Sequence, residues 1–151
     1  MTMGPVFTIG YQGATVASVL DALGEARVEL LVDIRAVASS RRPGFAKTAL
    51  AANVGTIGVE YLHLRGLGTP AEGRAAARAG KHAEMRRIFL SHLATEQAQT
   101  ELETVAALVR EGRRVCLLCF EADATHCHRS LVAKALAEKL TVEIVNLAPH
   151  G

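Results

Sequence analysis

The chain has 151 residues, of which 50% are hydrophobic and 21% charged, a composition that is typical of a globular protein and excludes intrinsic disorder. A chain of this length usually forms one domain whose core needs no disulfide or metal, so we expect a single domain over residues 1–151. The formal net charge of +2 is too small to indicate nucleic-acid binding, and an aromatic content of 4% is low for a surface that stacks bases.

Short apolar runs and helical periodicities alternate along the chain. The apolar runs predict buried strands at residues 7–11, 30–34, 59–64, 115–120 and 142–147. Between them, apolar side chains recur at helical spacing and predict helices at residues 16–23, 46–54, 85–93, 102–109 and 129–140. Thr15 is a suitable N-cap for the first helix, and Gly112 fits the position just after the fourth. Residues 39–44 predict a loop, because Pro43 and Gly44 interrupt the pattern.

One segment, residues 66–82, shows no clear periodicity. It is rich in Gly, Ala and basic residues. We predict a surface loop there, with a mobile lid as the alternative.

Continuous apolar strands that alternate with helices indicate an α/β fold. We predict a mostly parallel sheet of about five strands flanked by helices on both faces, a Rossmann-like three-layer sandwich. In such sheets, ligands bind beyond the carboxyl ends of the strands. The first, second and fourth predicted strands all end in polar or reactive residues, so we expect the functional site at this edge.

Candidate site residues lie at these three strand ends. The first strand ends at Gly10 and Tyr11. Asp33 and Arg35 are two residues apart and therefore point to the same side, and Cys119 and Glu121 do the same. Taken singly, Asp33 fits a structural ion pair with an arginine, and Cys119 fits a small core residue. The whole set favours a pocket.

Two segments are candidates for anion binding. A loop over residues 122–128 leads into the last helix, whose free N–H groups and positive dipole end attract anions, and Arg129 adds further donors. The alternative is that Thr125 or Asp123 simply caps this helix. A second basic cluster follows the second strand and comprises Arg35, Arg41, Arg42 and Lys47, with Ser39 and Ser40 as further donors. It forms either a solvated face or an anion site.

The three cysteines suggest a metal or redox site at first sight. Cys116 and Cys119 have C-x-x-C spacing, but they lie within a strand and point to opposite faces, so they cannot share an ion. We therefore expect no bound metal, and a site from Cys119, Cys127 and a His is the alternative. Cys119 is also a candidate thiolate nucleophile, activated by His126, His128 or an Arg.

The odd number of cysteines favours reduced thiols over a disulfide framework. The N-terminus has no basic head followed by a long apolar stretch, and no apolar run reaches the roughly 18 residues of a membrane helix. We therefore expect a cytoplasmic protein that does not enter a membrane.

Several of these segments together carry a family resemblance. They are residues 7–11 (FTIGY), 31–35 (LVDIR), 40–42 (SRR), 61–64 (YLHL), 67–68 (LG), 117–121 (LLCFE) and 127–130 (CHRS). The sequence resembles the family named domain of unknown function 488, although Ala38 and Thr69 depart from its usual Pro and Gly. The resemblance implies a compact cytoplasmic α/β domain with no assigned reaction.

Three functions remain open from the sequence. The first is an enzyme acting on a phosphorylated or nucleotide-like substrate, the second a binding module for nucleic-acid phosphates or nucleotides, and the third a metal-dependent enzyme with Cys and His ligands. Deep burial of Asp33, Glu121 and Cys119 would favour the enzyme, whereas a broad exposed Arg face would favour the binding module. No cofactor is expected, and nothing indicates the oligomeric state.

The candidates divide into two groups. The catalytic candidates are Cys119, Glu121, Asp33 and His128. The ligand-binding candidates are Gly10, Tyr11, Arg35, Ser40, Arg41, Arg42, Cys127, Arg129 and Ser130.

Overall fold

The computed structural model describes residues 3–149, and within them one five-stranded parallel sheet carries the fold. The strands are β1 (Val6–Gly10), β2 (Leu30–Asp33), β3 (Glu60–His63), β4 (Val115–Cys119) and β5 (Ile144–Leu147). The helices are α1 (Val16–Glu25), α2 (Lys47–Gly55), α3 (Ala71–Arg78), α4 (His82–Leu93), α5 (Glu96–Arg110) and α6 (His128–Leu140).

The strand order is β3-β2-β4-β1-β5, with every neighbouring pair parallel. Gly10 pairs with Cys119, and Asp33 pairs with Leu118, so three central strands end at the same level. The predicted parallel α/β architecture is confirmed, and its strand register brings the predicted strand ends to one edge.

Side chains on the two faces of the sheet form two hydrophobic cores. One face contributes Val6, Val32 and Leu117 and packs with α3 to α6. The other face contributes Ile9 and Leu31 and packs with α1 and α2. The alternation along each strand therefore produces the predicted three layers.

Two helix ends follow the sequence signals closely. Thr15 caps α1 in a reciprocal capping box, in which each of Thr15 and Ser18 accepts the other's backbone N–H. Gly112 follows α5 with a φ of 88°, the left-handed conformation that glycine adopts at little cost.

The segment expected to be a surface loop, residues 66–82, instead contains α3 and the first residue of α4. Alanine has the highest helix propensity, and α3 is amphipathic, but its buried residues are Gly73 and Ala76, so no large apolar side chain marked its buried face in the sequence. A Cβ at Gly73 would lie 2.5 Å from a Thr69 methyl and 3.3 Å from an Ile88 methyl. Glycine at this position lets α3 pack closely on α4.

The predicted helices at residues 85–93 and 102–109 also begin earlier than expected, at His82 and Glu96. Their first turns carry polar residues without apolar spacing. In α5 the start is fixed instead by Thr95, whose hydroxyl accepts the Ala98 N–H.

Among residues 3–149, no helix combines the length and the apolarity that a membrane span requires.

Gly10 permits a close backbone approach that the site depends on. A Cβ there would lie 1.8 Å from the carbonyl oxygen of Glu121 and 2.7 Å from Nη1 of Arg129. Because a backbone carbonyl cannot rotate away as a side chain does, we expect Gly10→Ala to lower the free energy of unfolding by more than about 2 kcal/mol.

Gly24→Ala is the control for this prediction, because Gly24 lies inside α1 with nothing within 4 Å of the added Cβ. It should raise stability by about 0.5–1 kcal/mol. Urea denaturation measures both variants, and equal stability of wild type and Gly10→Ala would contradict the close approach.

Candidate active site

A pocket of about 510 Å³ opens at the carboxyl-terminal edge of the sheet. Its volume lies within the usual range for small-molecule sites. Residues that follow β1, β2 and β4 form part of its wall, and side chains of α3 form another part. The predicted site residues that line it are Tyr11, Arg35, Ser40, Cys119, Glu121 and His128.

Asp33 and Arg35 form a buried ion pair beside the pocket. Arg35 donates from Nη2 to Oδ2 at 2.6 Å and from Nε to Oδ1 at 2.8 Å. Its Nη1 donates to the Phe45 carbonyl at 2.8 Å and to the Tyr11 hydroxyl at 3.0 Å. Burial by itself lowers the pKa of Arg35, but the Asp33 carboxylate outweighs it and raises the pKa above its ordinary value.

Tyr61 completes the surroundings of Asp33 by donating its hydroxyl to Oδ2. Burial and the adjacent Asp33 carboxylate raise the pKa of Tyr61, so its phenol remains protonated. Asp33 thus has a cation and a hydroxyl on its oxygens and is completely buried. This arrangement is the structural ion pair that the sequence offered as the simpler interpretation of Asp33.

Arg129 is 1% exposed, and its guanidinium is bound to protein acceptors. It donates from Nε to the Thr8 hydroxyl at 3.2 Å and from Nη1 to Sγ of Cys119 at 3.2 Å. It also donates to the carbonyls of Glu121 and Ala122, the latter at 3.1 Å. Burial lowers its pKa. Arg129 therefore organises the site from behind and does not reach into the pocket.

The start of α6 is capped by a sulfur atom. Sγ of Cys127 accepts the Arg129 N–H at 3.5 Å. The prediction that Thr125 or Asp123 caps α6 is wrong, because Asp123 caps a separate 3₁₀ turn, Ala124–His126, by accepting the Thr125 N–H at 2.9 Å. This short turn has no apolar periodicity and was not predicted.

Ser130, a predicted ligand residue in the first turn of α6, has a backbone partner. Its hydroxyl donates to the Cys127 carbonyl at 2.9 Å.

Cys119 and Cys127 form a disulfide, and both are buried. The expectation of reduced thiols is wrong for this pair, because the chain between them passes through the 3₁₀ turn and returns Cys127, eight positions after Cys119, to the end of β4. Cys116 is a free thiol in the core on the other face of the sheet, as predicted. Burial raises the pKa of Cys116, so it stays an unreactive thiol.

His128 is a buried imidazole with a defined orientation. Its Nε2 lies 2.8 Å from the carbonyl oxygen of Ile34. Because that carbonyl only accepts, Nε2 carries the hydrogen and Nδ1 is unprotonated. Nδ1 faces Sγ of Cys127 at 3.7 Å. Burial lowers the pKa of His128 to about 4.

The basic cluster after β2 is divided by the fold. Arg42 donates to the carbonyls of Tyr11 and Ala14 and lies over the ring of Phe45 at 4.9 Å, so it holds the loop. Ser40 accepts the Arg42 N–H at 3.1 Å, and Arg41 is exposed outside the pocket wall. Of this cluster, only Arg35 and the two serines line the pocket.

Sequence reasoning missed two further cations that line the pocket beside Arg35. Arg74 and Arg78 are four residues apart on α3 and share one face of it. Arg74 donates from Nη1 to the Thr69 carbonyl at 2.9 Å, and Arg78 is exposed. The alanine content of this segment was the available signal, since a helix there would have placed both arginines together.

Comparisons with known proteins give one match. The family described as "Domain of unknown function DUF488" matches residues 15–136 of this chain. No curated protein and no solved structure matches it.

The buried neutral His128 makes stability depend on pH. Its folded pKa of about 4 lies below the ordinary value of 6.5, so between these values the unfolded chain binds a proton that the folded chain does not. The contribution is therefore complete above about pH 6.5 and is lost as the pH falls toward 4, with a total on the order of 3 kcal/mol.

His128→Gln keeps a donor for the Ile34 carbonyl and removes the titration. Urea unfolding in the presence of a chelator should show a shallower loss of stability for this variant than for the wild type over that pH window. Parallel curves for the two proteins would show that His128 is not buried in the neutral form.

Proposed function

Because the chain belongs to the family described as a domain of unknown function, DUF488, we propose its function from the site itself. We propose that it is a small enzyme that binds a phosphorylated or nucleotide-like substrate in the pocket at the strand ends. The observation that carries the proposal is that Glu121 shares this one pocket with Arg74 and Arg78.

The anion role falls to α3. Paired arginines bind phosphate oxygens through several charge-assisted hydrogen bonds, and Arg78 is exposed with its donors available. Arg74 uses one nitrogen on the Thr69 carbonyl, which fixes the guanidinium at the pocket wall. Arg74 and Arg78 replace Arg129 as the proposed anion-binding residues, because the donors of Arg129 are already bound to protein acceptors.

The pocket wall also offers an apolar surface. Phe120 is 43% exposed and meets the ring of Tyr11 edge-on, with centroids 5.4 Å apart. Val37 is exposed on the same pocket. An open aromatic ring near arginines suits a base or another flat group attached to a phosphate, and this supports a nucleotide-like substrate.

Glu121 is the acid–base group in this proposal. Its backbone carbonyl is held by Arg129, and its side chain lies half-buried in the pocket wall. Asp33 is occupied by Arg35 and Tyr61, and Cys119 is bonded to Cys127, so neither is available in this form. A carboxylate next to bound phosphate is suited to take or give a proton.

The distribution of burial and of basic residues supports an enzyme over a binding module for nucleic acid. Of the three residues whose deep burial would favour an enzyme, Asp33 and Cys119 are buried and Glu121 is half-buried. The basic residues after β2 are divided between the core, the loop and solvent and do not form one broad face.

We expect Arg74→Ala and Arg78→Ala each to weaken binding of inorganic phosphate and adenosine monophosphate by about 1.5–3 kcal/mol, the usual cost of a lost charged hydrogen bond. Binding should also weaken as salt is added. Titration calorimetry measures both effects. Arg86→Ala is the matched control, because Arg86 is exposed on α4 outside the pocket wall. Equal affinities for all four proteins would contradict the proposed anion site.

Glu121→Gln should leave ligand binding intact and prevent turnover. Mass spectrometry of small molecules that co-purify should find a phosphorylated or nucleotide-like compound, with more unreacted substrate on Glu121→Gln than on the wild type. The compound should be absent from the double variant Arg74→Ala, Arg78→Ala. Co-purification of only uncharged compounds would overturn the proposed substrate class.

A further inference from the structure

Three groups that bind soft metal ions meet beside the pocket. Sγ of Cys119, Sγ of Cys127 and a ring nitrogen of His128 lie within 4.8 Å of one another, and all three residues are buried. We propose that, once the disulfide is reduced, these three side chains bind one zinc ion. This inference does not depend on the substrate proposed above.

The imidazole already has the orientation of a metal ligand. Its Nε2–H is directed to the Ile34 carbonyl at 2.8 Å, so the lone pair of Nδ1 is free to face Sγ of Cys127. In most metal-binding histidines, the ring nitrogen that does not bind the metal donates a hydrogen bond, which fixes the orientation of the ring. Nδ1 is 3.7 Å from Sγ of Cys127. Nitrogen and sulfur on one tetrahedral zinc ion are about 3.6 Å apart, given the usual bond lengths.

Both sulfurs have N–H donors that favour the thiolate form. Nη1 of Arg129 is 3.2 Å from Sγ of Cys119, and the backbone N–H of Arg129 meets Sγ of Cys127. Such donors stabilise metal thiolates without occupying the metal. Two thiolates neutralise the charge of a zinc ion, and the remaining charges of Arg129 and Glu121 are opposite.

The backbone spacing also suits an ion. The Cα atoms of Cys119 and Cys127 are 7.4 Å apart. Disulfides usually span about 4.4–6.8 Å, whereas an ion between two sulfurs replaces one bond with two and needs a wider separation. Two thiolates and one imidazole form a soft ligand set that favours zinc over the hard cations Mg²⁺, Ca²⁺ and Mn²⁺.

The proposed centre has three protein ligands and adjoins the pocket. Cys119 and His128 line the pocket together with Glu121, whose Oε2 is 3.7 Å from Sγ of Cys119. The fourth position therefore faces the pocket beside a carboxylate, as in zinc sites that bind a reacting oxygen. This centre is the alternative that the sequence left open beside the expectation of no metal, and the pair Cys116 and Cys119 stays excluded.

Reduction of the disulfide precedes zinc binding. A thiol reductant delivers two electrons and two protons to the Cys119–Cys127 bond, becomes a disulfide itself and leaves two protein thiols. Zinc binding then releases both protons as the sulfurs become ligands. The oxidised protein lacks both thiolates and should not bind the ion.

The test is a titration of the full chain with cobalt(II). The protein is first reduced with a thiol, and the reductant is then removed without exposure to air. We expect one equivalent to bind, with a sulfur-to-cobalt charge-transfer band and the visible bands of a tetrahedral site, and zinc should displace it. The unreduced protein should show neither band.

Variants assign the ligands. Cys119→Ser, Cys127→Ser and His128→Gln should each weaken cobalt binding at least about tenfold, the lower limit for losing even an outer-shell partner. Cys116→Ala is the matched control and should keep both bands, because Cys116 is buried on the other face of the sheet.

Two results would overturn the proposal. One is the absence of a thiolate–cobalt band in the reduced wild-type protein. This result does not depend on whether any variant folds. The other is a band that survives Cys127→Ser unchanged or disappears in Cys116→Ala. Failure of this titration would leave the phosphate-binding test of Arg74 and Arg78 unaffected, so the two proposals are distinguishable.

Discussion

The buried guanidinium of Arg129 holds the candidate site together. Removing a charge from water is costly unless hydrogen bonds replace the lost solvation, and here the acceptors are Thr8 of β1, Cys119 of β4 and the carbonyls of Glu121 and Ala122. One side chain of α6 thereby joins two central strands to the loop that follows β4. Losing it would remove these four hydrogen bonds at once, so its contribution is structural before it is chemical.

A second buried network performs the same task on the β2 side. Asp33 ends β2, and its carboxylate holds Arg35, which in turn binds the carbonyl of Phe45 in the following loop. Tyr61 ties the neighbouring strand β3 to the same carboxylate. The strand ends are thus fixed by charged groups whose partners lie within the protein. The groups that remain for a ligand come from α3 and from Glu121.

Much of the fold followed from periodicity, because buried parallel strands are continuous apolar runs and most of the helices show one apolar face. The edge of the sheet that carries the site followed from the rule for parallel sheets. Helix α3 did not follow, since its buried residues are Gly73 and Ala76 and no large apolar side chain marks that face. The sequence also did not show which arginines are bound within the protein and which face the pocket. Whether Arg129 or Arg78 meets a ligand depends on which carbonyls lie within reach, and tertiary contacts between distant segments decide that. The pairing of Cys119 with Cys127 has the same origin.

Helix α3 packs chiefly against α4, whereas the strands that hold the other side of the pocket are central members of the sheet. The two sides of one cavity therefore belong to regions of unequal local stability. The residues that α3 itself buries are small, Gly73 and Ala76, and separating α3 from α4 breaks no strand pairing. In hydrogen-exchange terms, we expect the amides of α3 to exchange through a lower-energy opening than those of β4. The guanidiniums of Arg74 and Arg78 therefore belong to the part of the molecule that we expect to open at the lower free energy.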